Sequence, residues 1–275
     1  MCSIVMMKIA VVFCFCEVIN AAAVMGKQDT EHRCGIVASP NPIHQHPWLV
    51  LLEFYRRDMK HERRCGGSLI SKRHVVTAAH CVQKAISKNA RLFARLGEYD
   101  LSKEVDCVDG VCADLPVKLE VVQVTTHEDY KNHDIAILTL SDDAPYTDTI
   151  RPICFPSAED LRERMVFSAS GWGEIVNKGV YSDVKKDLRL PYWARSNCQS
   201  AYNSKVPSHV ICAGGEQGID TCRGDSGGPL VWGKNYFELF GVTSSGSVNC
   251  GTKGTPGIYT SVIDHLDWIK EVINQ

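Results

Sequence analysis

Cysteine placement constrains this chain more than any other feature. Its 275 residues hold 13 cysteines, an odd count that needs a cause. Three of them, Cys2, Cys14 and Cys16, fall in the first 23 residues, which read as a secretory signal. Lys8 precedes the apolar run Ile9 to Cys16, Glu17 ends it, and Ala21-Ala22-Ala23 offers a small-x-small cleavage site. The eight apolar residues between Lys8 and Glu17 are too few to span a bilayer, which argues against a membrane anchor. Ten cysteines remain, an even number that in a secreted, extracellular chain predicts five disulfides. Structural zinc is disfavoured, because no C-x-x-C pair is followed by a second matching pair. No Asn-x-Ser/Thr sequon is present, so N-glycosylation is not expected.

The 30 basic and 32 acidic side chains give a formal net charge of −2, which argues against a general polyanion-binding surface and so against a nucleic-acid partner. An apolar fraction of 44% is enough to fill a core. No stretch of 18 uncharged apolar residues suggests a membrane-embedded protein. From Trp48 onward, strand-length apolar runs recur between Gly, Pro, Asn and Asp clusters. They cover Trp48–Phe54, Leu69–Ile70 with His74–Thr77, Leu92–Leu96, Val117–Thr125 and Ile135–Leu140. Later come Met165–Ser168, Asp187–Leu190, Pro229–Trp232, Phe237–Val242 and Gly257–Ser261. The spacing predicts antiparallel strands in a barrel or sandwich, and about 230 residues suit one unit built from two small barrels. In Ile263–Ile273, Leu266, Ile269 and Ile273 recur at helical spacing and predict a closing helix.

Three short motifs carry the chemistry: Thr77-Ala78-Ala79-His80-Cys81, His133-Asp134-Ile135-Ala136-Ile137-Leu138 and Gly224-Asp225-Ser226-Gly227-Gly228-Pro229. A serine hydroxyl is a poor nucleophile until a base takes its proton. It must also stand where backbone N–H groups converge on a developing oxyanion. Glycines on both sides permit the tight turn and the close approach of a substrate backbone. A lone Gly-rich turn, His or Asp is commonly structural. Here His80 and Asp134 both adjoin apolar residues that would fix them at strand ends, and a His base needs a carboxylate to set its tautomer.

The order His, Asp, Ser in these contexts resembles the chymotrypsin-like serine peptidases, over roughly Cys34 to Gln275. That resemblance implies an all-β fold of two six-stranded antiparallel barrels with a C-terminal helix. It divides the chain into a signal at 1–23, a short N-terminal segment at 24–35 tethered by Cys34, and a peptidase domain at 36–275. It implies Ser226 as nucleophile, His80 as general base and then acid, and Asp134 as its orienter. The oxyanion hole would be the N–H groups of Gly224 and Ser226. Asp225 resembles the residue that pairs with a new N-terminal ammonium after zymogen cleavage. The implied disulfides are Cys65–Cys81, Cys198–Cys212, Cys222–Cys250 and Cys34–Cys154, which leaves Cys107 with Cys112. That last small loop resembles a feature of arthropod clip-domain peptidases, although the ten residues between Ala23 and Cys34 hold no cysteine and leave no room for a clip domain.

By the same resemblance, Asp220, six residues before the nucleophile, lies at the floor of the specificity pocket, with Gly246 and Gly257 as small wall positions. A carboxylate in a poorly solvated pocket demands a cationic partner, which substrate Arg or Lys supplies. Two departures stand out. Ser245 replaces the family's usual large aromatic. The activation sequence is Arg33-Cys34-Gly35-Ile36-Val37, so a tryptic cut after Arg33 would leave Cys34 at the terminus, two residues upstream of Ile36. Ile36, the natural donor for an ion pair with Asp225, follows a glycine. Two functional readings follow. One is a secreted, monomeric endopeptidase acting on proteins with Arg or Lys at the scissile position and met by a serpin-type inhibitor. The other is a catalytically silent, zymogen-like binding protein or decoy. No cofactor is required. The loop opened by Glu98, with Asp100, Glu104, Asp106 and Asp109, is rich enough in oxygen to suit calcium, against the plainer reading of a solvated acidic loop. Arg56, Arg57, Lys60, Arg63 and Arg64 read as a solvated hairpin.

Overall fold

Among the described residues fourteen strands form, and twelve of them close into two barrels. They belong to a computed structural model that describes residues 34–55, 61–87, 90–156, 161, 165–176 and 178–274. The expected signal and Arg56, Arg57 and Lys60 lie outside the described residues. The first barrel has the order β1-β2-β3-β8-β7-β4. Its strands are β1 (Leu49–Tyr55), β2 (His61–Leu69), β3 (His74–Thr77), β4 (Arg91–Leu96), β7 (Val117–Thr126) and β8 (Ala136–Leu140). The second has the order β10-β11-β14-β13-β12-β9. It is built from β9 (Val166–Gly171), β10 (Lys186–Trp193), β11 (Val210–Gly214), β12 (Pro229–Gly233), β13 (Phe237–Ser245) and β14 (Pro256–Ser261). Every pairing within both barrels is antiparallel. Closure gives every barrel strand a neighbour on each side, and register shifts at Leu52/Glu53 and Leu230/Val231 bend the strands into the curve.

The expected strands all appear, some with longer bounds. β2 begins at His61, well before the Leu69 seen in the sequence, because Arg and Glu mask its period. β11 is Val-Ile-Cys-Ala-Gly, whose apolar run is too short to read with certainty. Two helices had no signal: α1 (Ala79–Ser87), which carries His80, and α2 (Arg195–Tyr202). A two-residue hairpin, β5 (Cys107–Val108) with β6 (Val111–Cys112), closes the smallest disulfide loop. The closing helix α3 (Leu266–Ile273) follows a 3-10 turn at Ile263–His265. It lays Leu266, Ile269 and Ile273 on the first core cluster, and burying a side chain such as Ile269 stabilises by about 1.5–3 kcal/mol.

That cluster joins Val50, Leu52, Leu69, Val75 and Leu138 of the first barrel to Val231, Leu239 and Val242 of the second. A separate cluster around Phe167, Leu190, Phe240 and Tyr259 fills the second barrel. The five disulfides are Cys34–Cys154, Cys65–Cys81, Cys107–Cys112, Cys198–Cys212 and Cys222–Cys250.

Candidate active site

The first barrel supplies a histidine and a carboxylate. β3 ends in Thr77 and α1 begins at Ala79, so His80 lies in the helix's first turn. Asp134 ends the loop before β8. Its Oδ1 accepts the backbone N–H of His80 at 2.8 Å, and its Oδ2 faces His80 Nδ1 at 2.7 Å. Ser244, from β13, donates its hydroxyl to the same Oδ2 at 2.6 Å, and Thr260 of β14 donates to the Asp134 carbonyl at 3.0 Å. Burial pushes the Asp134 carboxyl up, but the bonds from His80 and Ser244 outweigh it and hold the group below the ordinary carboxylate range. With Nδ1–H given to Asp134, the His80 ring keeps its lone pair on Nε2, the tautomer a general base requires. Sequence reading missed Ser244 and Thr260, and no signal in their immediate surroundings marks them.

The Gly224–Pro229 turn meets this pair from the second barrel. Gly224 and Gly227 have φ of 98° and 79°, where side chains are disfavoured. A Cβ on Gly227 would stand 2.2 Å from Thr77 Oγ1 and 2.5 Å from the Gly66 carbonyl, so only glycine lets the turn sit against β2 and β3. Gly66 N–H also donates to the Ser226 carbonyl at 2.7 Å, fixing the nucleophile's backbone to the first barrel. Among the described residues no backbone carbonyl takes the N–H of Gly224 or Ser226, which leaves both for an oxyanion. His80 Nε2 lies 3.8 Å from Cys81 Sγ, and no hydrogen bond joins Ser226 Oγ to it among the described residues. Such contacts often tighten only when substrate is bound.

Behind the turn, Asp225 is buried at 1% exposure. Its Oδ1 accepts the N–H of Gly173 at 2.7 Å, and its Oδ2 accepts the N–H of Cys222 at 3.0 Å. Side chains at Gly171 or Gly173 would collide with the carboxylate at 2.2 and 2.4 Å. The partner expected from the sequence, Ile36, is not there. In the intact chain the Ile36 nitrogen is a peptide nitrogen, and Gly35 before it is pinned. Gly35 N–H donates to Pro152 O at 2.7 Å, Gly35 O accepts from Phe237 N at 2.8 Å, and Cys34 is bonded to Cys154. The cation at Asp225 is Lys186, at the start of β10, with Nζ 3.0 Å from Oδ2.

Asp220 is buried at 3% exposure beside the Cys222–Cys250 bridge. Its Oδ2 accepts the N–H of Gly251 at 2.9 Å, while its Oδ1 has no hydrogen-bond partner. Burial raises its pKa above the ordinary carboxylate value. A Cβ on Gly257 would lie 3.3 Å from that Oδ1, and one on Gly246 would meet nothing closer than 3.7 Å. Both positions therefore leave space above the carboxylate. Tyr259, hydrogen-bonded to Thr221 at 2.9 Å, closes the far side. Ser245 is exposed at the end of β13.

The carboxylates of the Glu98 loop make their contacts within the chain. Asp106 accepts the N–H groups of Tyr99 and Asp100 at 3.0 and 3.1 Å. Glu98 pairs with Arg95 at 2.5 Å and Asp100 with Lys103 at 2.7 Å. Lys185 is attracted to Asp106 and Glu98, although burial draws it down to about 8. The loop's carboxylates thus already have cations and N–H donors. Glu104 and Asp109 are exposed.

A family model described as Trypsin matches residues 36–269. The chain is 39% identical over 251 residues to the CLIP domain-containing serine protease HP8 of Bombyx mori, covering 85% of this chain and 68% of that protein. It is 37% identical to phenoloxidase-activating enzyme 1 of Spodoptera litura (88% of this chain, 70% of the relative) and 38% identical to serine protease ea of Drosophila melanogaster (84% and 65%). The chain therefore spans about two thirds of these relatives' lengths. A double barrel with His80, Asp134 and Ser226 at its seam, and a matching family model over most of the sequence, place this chain in the trypsin family of serine proteases.

Proposed function

We propose that this chain is a secreted endopeptidase that cleaves proteins after Arg or Lys, with its catalytic centre organised in the uncut chain by Lys186. The observation that carries the specificity is the unpartnered Oδ1 of buried Asp220. A carboxylate held there is costly until a cation arrives, and the glycines at 246 and 257 admit a long side chain to supply one. In the reaction, Ser226 Oγ attacks the scissile carbonyl as His80 Nε2 takes its proton, Asp134 stabilises the imidazolium, and the N–H groups of Gly224 and Ser226 receive the oxyanion. His80 then protonates the leaving amine, and water repeats the sequence on the acyl-enzyme. These steps draw only on the chain's own side chains. Monomeric protein, with protein substrates and serpin-type inhibitors as partners, completes the reading.

Two observations favour the silent, decoy-like alternative: the missing activation arginine, and the absence of a bond from Ser226 Oγ to His80. One experiment separates the readings. The secreted protein is sequenced from its N-terminus, treated with an active-site serine label and assayed on Arg, Lys and apolar peptide substrates. The endopeptidase reading expects labelling at Ser226, preference for Arg and Lys, and a loss of about 10⁶-fold in Ser226→Ala. A protein that neither takes the label nor hydrolyses any substrate is the decoy.

A further inference from the structure

Directly behind Asp134, four histidines from distant parts of the sequence meet. His133 is stacked between His127 and His209, with ring centroids 4.4 and 4.1 Å away. His265 stands edge-on to His127, His133 and His209. His133 Nδ1 lies 2.9 Å from His265 Nε2. His127, His133 and His265 each offer one ring nitrogen, all within 4.8 Å of one another. Among the described residues no carboxylate is hydrogen-bonded to any of these four rings, so their own charges would repel one another in a protonated cluster.

We propose that His127, His133 and His265 form a binding site for a divalent transition metal of the zinc class, and that a metal bound there slows hydrolysis by disturbing Asp134. Imidazole nitrogens suit zinc, and a three-histidine set with a fourth, water-bearing position is a familiar coordination. Bonds of about 2.1 Å in a tetrahedron put ligand nitrogens about 3.4 Å apart. The 2.9 Å contact between His133 and His265 opens slightly to reach that value, and the partly exposed His127 and His133 rings turn inward. The buried member is already oriented. His265 Nδ1 faces the Ser261 carbonyl at 2.6 Å, so that nitrogen carries the proton and Nε2 presents its lone pair to the cluster. This is the backing that metal-bound histidines commonly have. His133 Nδ1 donates to that lone pair in the metal-free protein; on coordination its proton leaves or moves to Nε2, and the metal takes its place. Burial above all, and then the neighbouring rings, keep His133 and His265 below the ordinary imidazole value.

The coupling is short. His133 adjoins Asp134, and the carbonyl of Asp134 is held by Thr260, next to the Ser261 that backs His265. A metal that pushes the His133 and His265 nitrogens apart shifts the backbone on both sides of Asp134, whose carboxylate orients His80. The hydrolytic consequence rests on the proposed peptidase activity; the binding does not. Zinc chloride is titrated calorimetrically into His80→Gln protein, which removes the active-site imidazole as a competing ligand, with unfolding midpoints measured in parallel. We expect one saturable site of micromolar affinity and a raised midpoint, with affinity weakened more than about tenfold by adding His127→Ala and unchanged by adding the remote His74→Ala. No saturable binding at millimolar zinc, or equal affinity with His127→Ala, overturns the site. Unaltered hydrolysis of an Arg peptide in zinc-saturated wild-type protein overturns the coupling. If no sample hydrolyses anything, the peptidase reading falls while the calorimetry still decides the site.

Discussion

Asp220 and Asp225 lie five residues apart in the segment before β12 and are buried to nearly the same depth. Their surroundings are opposite. Asp225 has two backbone donors and a lysine ammonium 3.0 Å away, and glycines at 171 and 173 clear just enough room for its oxygens. Asp220 has one oxygen on Gly251 N–H and one on nothing, with open space above it. The difference teaches how to read buried charge. A carboxylate whose cation comes from the same chain is part of the framework, and one left half-satisfied is a request for a ligand.

The strongest way to break this comparison is to neutralise the open member. Asp220→Asn should lower kcat/KM on Arg peptides by about 10²–10⁴-fold, matching the roughly 3–5 kcal/mol typical of a lost buried charge partner, without lowering the melting midpoint of ligand-free protein. A fall in stability with unchanged specificity would make Asp220 structural. Neutralising the partner of the closed member should do the reverse. Lys186→Met leaves Asp225 uncompensated, at about 3–5 kcal/mol, which predicts a midpoint roughly 6–20 °C lower by calorimetry and a weakened active site in the uncut protein. A midpoint equal to wild type would show that Lys186 is not the cation that matters.

A pH series sharpens the contrast. Burial raises Asp220 above its ordinary value of 3.8. A raised carboxyl contributes stability below its unfolded pKa and loses it as pH rises through the folded one. A small aryl amidinium should therefore raise the melting midpoint above the raised value, where the carboxylate is charged, and cease to do so as pH falls through it. Asp134 has the opposite sign: its lowered pKa gives stability above the unfolded value that is lost as pH falls through the folded one. An amidinium effect that persists at low pH would place the ligand elsewhere. The smallest expected effect is Ser244→Ala. Loss of its 2.6 Å bond to Asp134 should reduce kcat by about three- to tenfold, measurable in steady-state assays, with little change in melting.

Much of the fold was legible because its constraints are local. Alternating strands, the cysteine count and the three motifs each sit in a few consecutive residues. The α1 helix was not, since Ala-His-Cys-Val shows no helical period by itself. In the candidate site, local motifs give the triad residues, but their supports come from far along the chain. Lys186 is 39 residues from Asp225, and Ser244 is 110 from Asp134. A lysine opening an ordinary strand has nothing in its neighbours to say that it ends against Asp225. The same distance hides the histidine cluster, whose members span 127–265.

The bond from Gly66 N–H to the Ser226 carbonyl crosses from one barrel to the other. None of the five disulfides links strands of the two barrels; four close loops locally, and Cys34–Cys154 anchors the N-terminal segment. His80 and Asp134 come from the first barrel and Ser226 from the second, so neither half alone contains a working set. During synthesis, a chain whose second barrel has not yet docked has the histidine and the carboxylate without the serine. The seam therefore acts as a timing device: the set is complete only once the two barrels have met.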